Sequence, residues 1–136
     1  MTRLLCHYLA RTAFTALLVS AAALAQAESA SGPLDGRSFE GVVLDKGKTR
    51  GDADTLIFKN GLFRSTACDP YGFNEAPYKV VADGNAMRFE AETESPKHGK
   101  LQWSGYLRGD KVDATATWVR AGKEPVDRWY VGGLQR

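Results

Sequence analysis

Three short turn signals, Asn60-Gly61, Asp83-Gly84-Asn85 and Arg108-Gly109-Asp110, punctuate the middle of the chain at nearly even spacing. Gly, Asn and Asp tolerate the positive φ of tight hairpin turns, so the chain reverses at these points without strain. Each signal lies between two runs in which apolar and polar residues alternate. Alternation is the signature of a half-buried strand, and no segment after residue 27 keeps a helical period over a useful length. The pattern predicts a meander of antiparallel strands.

The N-terminus has a different character. Arg3 and Arg11 precede an Ala- and Leu-rich stretch over Ala13–Leu24, closed by Ala25-Gln26-Ala27. A positive start, a short apolar middle and an A-x-A end describe a secretory signal peptide, residues 1–27, cleaved after Ala27. The expected location is the periplasm or the exterior. The apolar run is too short to span a bilayer comfortably, so no membrane partner is expected after cleavage. Without Arg3 and Arg11, the 18 Lys plus Arg fall level with the 16 Asp plus Glu. A neutral product without a basic stripe excludes nucleic acid as an expected partner. Oligomeric state is left open.

Residues 28–36 are small and polar and read as a flexible lead-in to a barrel domain over 37–136. Strands are predicted at Ser38–Leu44, Thr55–Lys59, Leu62–Ala67, Ala76–Ala82, Ala86–Thr93, Lys100–Leu107, Lys111–Arg120 and Val126–Leu134. Two have clear faces: Met87, Phe89, Ala91 and Thr93 alternate with Arg88, Glu90 and Glu92, and Val112, Ala114, Ala116 and Trp118 alternate with Asp113, Thr115 and Thr117. A one-residue slip would turn these charges inward, so the register is strongly specified. The last strand, with Trp129, Tyr130 and Val131 in succession, has no clear face. Eight short strands in sequence order close most economically into a single up-and-down antiparallel β-barrel, which removes both exposed edges. A two-sheet sandwich needs longer crossing connections than this chain offers.

The stretch Gln102-Trp103-Ser104-Gly105-Tyr106, followed by Ala116-Thr117-Trp118 and Trp129-Tyr130-Val131-Gly132-Gly133-Leu134, resembles the later strands of avidin-type proteins. Gly61-Leu62-Phe63-Arg64-Ser65 is a weaker echo of an earlier strand in that family. More broadly the chain is similar to the lipocalin-like, calycin-type group of small exported barrels, and the resemblance implies the same eight-stranded meander. The avidin-like Asn and Ser ligands near the first strand are replaced by Phe39, Glu40 and Gly41, so biotin is not implied. Bacterial periplasmic inhibitors of lysozymes and proteases are also small eight-stranded barrels.

Trp103, Trp118, Phe89, Met87 and Trp129 are the candidate ligand-binding residues of the barrel interior. Large rings beside Ala91, Gly105, Ala114 and Ala116 line a cavity or interdigitate to fill a narrow barrel, and both readings stay open. The Cys68–Gly72 and Ser95–Gly99 loops would then lie at the openings. Cys68 is the single cysteine left after the leader, so it is a free thiol or the point of an intermolecular disulfide. Nucleophilic catalysis would need His98, the single remaining histidine, and a third orienting group, so no catalytic residue is assigned and an enzyme is not expected. One Cys and one His cannot assemble a transition-metal site, and Lys46, Lys48 and Arg50 interrupt the loop carboxylates Asp45, Asp52 and Asp54, so no metal or cofactor is expected. Two Arg-Gly-Asp triplets, Arg50–Asp52 and Arg108–Asp110, are ordinary turn chemistry. The expectation is a non-catalytic binding protein for a small apolar or aromatic ligand; the alternative is a protein-interaction module such as a periplasmic lysozyme or protease inhibitor.

Overall fold

The alternation becomes eight strands: β1 (Arg37–Asp45), β2 (Asp52–Lys59), β3 (Leu62–Ser65), β4 (Ala76–Asp83), β5 (Ala86–Ser95), β6 (Gly99–Arg108), β7 (Lys111–Val119) and β8 (Val126–Leu134). The structure is a computed structural model and describes residues 32–136. The leader expected over residues 1–27 lies outside the described residues. Each strand pairs antiparallel with the next, and β8 returns to β1 through Val42↔Val131 and Leu44↔Trp129, closing the barrel.

All three turn signals fall at the same end. There Asn60 and Gly61 both take positive φ, 53° and 73°, as a two-residue turn matched to strand twist requires. The β1–β2, β3–β4, β5–β6 and β7–β8 connections lie at the opposite end and are longer. One end is therefore tied off by tight turns and the other is edged by loops.

Most strands begin or end within one or two residues of the sequence expectation, and two of the differences, at the end of β3 and the start of β2, share one cause. The strand expected over Leu62–Ala67 stops at Ser65, and Thr66–Tyr71 wind into a 3-10 turn. The strand expected to begin at Thr55 begins at Asp52. Asp54 is consequently buried in β2, not solvated in a loop, and its carboxylate accepts from the Ala67 N–H at 2.9 Å and the Thr66 hydroxyl at 3.3 Å. A buried carboxylate needs such donors, and taking them from the next segment bends the chain out of β3.

The half of the barrel nearest the tight turns is solid. The Phe58 ring lies 5.0–6.1 Å, centroid to centroid, from Phe39, Phe63, Tyr78 and Phe89, mostly edge to face. A Cβ at Gly105 would overlap the Phe89 ring and Ala114, so β6 carries glycine where β5 presses closest. Leu34, from the expected lead-in, is fully buried among these residues. Residues 33–36 form a turn across the tied-off end, where Asp35 accepts from the Gly61 N–H at 2.9 Å and from the Tyr78 hydroxyl at 2.8 Å.

Candidate functional site

The loop end of the barrel is hollow. A cavity of about 460 Å³ opens there, within the range of small-molecule sites. Val43 and Asp54 supply one wall, Leu101 and Trp103 another, and Ala116, Trp118 and Arg128 a third; Cys68, Tyr71, Phe73 and His98 edge the mouth from the loops. Pairing explains the convergence. Trp103 stands opposite Ala116, and Ala116 stands opposite Arg128, so all three point to the interior of neighbouring strands.

The cavity mouth is built from short polar contacts. The Ser65 hydroxyl donates to Asp54 Oδ2 at 2.7 Å, and Cys68 Sγ lies 3.2 Å from the same hydroxyl oxygen. Burial pushes the Cys68 thiol up, which keeps it protonated and poorly nucleophilic. Across the mouth, Ser95 Oγ donates to the Tyr71 carbonyl at 2.7 Å and accepts from the His98 N–H at 3.3 Å. That ties the β5–β6 loop to the 3-10 turn. The His98 ring meets Tyr71 edge to face at 5.6 Å, and the His98 carbonyl accepts the Trp118 indole N–H at 2.6 Å. The Arg120 guanidinium stacks on Trp118 at 3.8 Å. Arg128 lies 5.5 Å from the same ring and faces Asp45, its Nε 3.0 Å from Oδ1 but without hydrogen-bond alignment.

The five interior candidates separate. Trp103 and Trp118 line the cavity, Trp103 only 3 % exposed and Trp118 half-buried at the mouth. Phe89 belongs to the solid half, and Met87 packs against the same core from its edge. Neither reaches the cavity wall. Trp129 is not an interior residue: it is 39 % exposed on the outer face. Register decides this, because Trp129 pairs with outward Thr115, whereas Tyr130 pairs with inward Ala114. Tyr130 takes the interior position and donates its hydroxyl to the Phe39 carbonyl at 2.7 Å.

Ser65 and Arg128 are site residues that local pattern does not single out, and Asp54 enters the sequence expectation only as a solvated loop carboxylate. A faint signal existed for Arg128: with Tyr130 inward, period two places it inward as well. Among the described residues no three His, Cys, Asp or Glu side chains gather as a metal site.

The geometry stands without a relative to interpret it. No family model matches the chain, and neither does any curated protein or solved structure.

Proposed function

We propose that this protein is a non-catalytic binding protein that takes a small, largely apolar aromatic ligand into the loop end of its barrel. The observation that carries the proposal is the division of the interior: interlocked phenylalanine rings fill one half, while the other holds a cavity walled by Trp103, Trp118, Leu101 and Ala116. A barrel selected only as a scaffold gains stability from filling that space, since an unfilled apolar volume forfeits packing contacts. The raised thiol of Cys68 and the occupation of Asp54 by three donors support a binding role over a nucleophilic one.

Titrating the folded protein with indane, a compact aromatic hydrocarbon, tests the proposal. Saturable quenching or shift of tryptophan emission, lost in Leu101→Arg but kept in Val81→Arg on the far outer face, is the expected result. Emission indifferent to indane and to related bicyclic aromatics would overturn it. One feature favours the second reading, a protein-interaction module: Val42, Leu44, Trp129 and Val131 form an apolar stripe across β1 and β8 on the outer face. Under that reading Trp129→Ser abolishes partner capture and leaves indane without effect.

A further inference from the structure

We propose that the cavity selects planar aromatic ligands bearing a neutral hydrogen-bond acceptor, a carbonyl oxygen above all, and that the Trp103 indole N–H is the donor that recognises it. This rests on the ligand-cavity proposal above and adds the chemistry of the ligand. Trp103 is 3 % exposed, lines the cavity, and its Nε1 has no acceptor among the described residues. An indole N–H can only donate, and a buried one normally finds a partner. Trp118 illustrates the rule fifteen residues on, its Nε1 held by the His98 carbonyl. Thr93, also 3 % exposed, leaves a second unpartnered polar atom, Oγ1, on the inward face of β5. The Thr93↔Leu101 pair lies one inward step nearer the mouth than Ala91↔Trp103, so Thr93 stands beside Leu101, which lines the cavity, without lining it itself.

The remaining polar groups restrict what the acceptor is. Asp54 already receives three hydrogen bonds and does not call for a ligand donor. Asp52 and Asp54 oppose Arg128 in the lining, and Arg128 also faces Asp45. The cavity thus has no surplus positive charge to hold an anion, and a carboxylate ligand would meet Asp54 in a site partly screened from water. A carbonyl satisfies the indole without that penalty. Trp103, Trp118, Phe73 and Tyr71 supply flat apolar surfaces for the rest of the ligand.

The test compares 1-indanone with indane, bicyclic probes of similar shape, one bearing a carbonyl. The three tryptophans give three indole N–H resonances, assigned through single Trp→Phe variants. The expected result is that both probes bind, that indanone binds about tenfold more tightly, and that only indanone moves the Trp103 resonance downfield. In Trp103→Phe, which also removes part of the wall that both probes touch, the ratio of indanone to indane affinity falls to about one, whatever the change common to the two. If that variant does not fold, the resonance shift in the unmodified protein decides the matter alone. Equal affinities with an unmoved Trp103 resonance overturn the acceptor proposal and leave the cavity standing. Binding of neither probe overturns both.

Discussion

At the scale of single residues, the tied-off end depends on one tyrosine and one aspartate. The Tyr78 hydroxyl accepts from the Leu34 N–H at 3.0 Å while donating to Asp35, and burial, with Asp35 adding to it, pushes the phenol up to about 12. Tyr78→Phe leaves the buried Leu34 amide without its acceptor, while Asp35 Oδ1 keeps the Gly61 N–H. Urea denaturation should show a loss of about 1–3 kcal/mol, the cost of orphaning one buried donor. Asp35 carries a pH consequence. Desolvation raises its carboxyl, but the Gly61 N–H, the Tyr78 hydroxyl and the Gly32 N–H together outweigh it and hold the group below its ordinary value of 3.8. A depressed carboxyl stabilises the fold above the unfolded value and loses that contribution as pH falls below 3.8 through the folded one. The urea midpoint should therefore drop between pH 5 and pH 3, and drop less in Asp35→Asn; an equal drop in both would place the acid sensitivity elsewhere.

At the scale of elements, the wall is uneven. β5 through β8 pair along nearly their whole length, whereas β3 and β4 share only Leu62↔Pro77 and Phe63↔Ala76 in register. Beyond Tyr78, β4 has β5 as its sole partner among the described residues, and Val81 is 50 % exposed. Hydrogen exchange should find the β3–β4 seam opening first and the centre of β6 last, because local opening follows the density of buried contacts. Uniform protection around the barrel would contradict this. The same contrast shows what was legible in the sequence. Alternation in β5 and β7 announces inward Phe89, Ala91, Ala114 and Ala116, and every one is buried. Trp103 and Trp118 follow from the same periodicity. In β8, three consecutive bulky apolar residues erase the alternation, so only pairing with β7 distinguishes Trp129 from Tyr130. The burial of Asp54 was hidden for another reason: it depends on Ser65, Thr66 and Ala67, which reach the carboxylate across a hairpin, a relation no local window contains.

At the scale of the whole molecule, a barrel solid at one end and hollow at the other makes two chemically similar positions respond in opposite ways. Ala114 and Ala116 are both buried on the inward face of β7, two residues apart. Ala114 stands opposite Gly105 in the packed half, where even a Cβ at Gly105 would press on it. Ala116 stands opposite Trp103 and lines the cavity. Ala114→Leu forces extra carbons into close-packed surroundings and should cost about 1–3 kcal/mol by thermal or urea unfolding. Ala116→Leu adds the same carbons to open apolar space, so stability should hold or rise as the new side chain gains contacts. The gain comes at the expense of the ligand: affinity for indane should fall by about tenfold or more as its volume is taken, the size of effect expected when apolar contact is exchanged. Equal destabilisation at the two positions would mean that the barrel is filled throughout. A stable Ala116→Leu protein with undiminished affinity would mean that indane binds elsewhere on the molecule. Only the split response, with stability kept and binding lost, is what a site built into the unfilled half of this barrel requires.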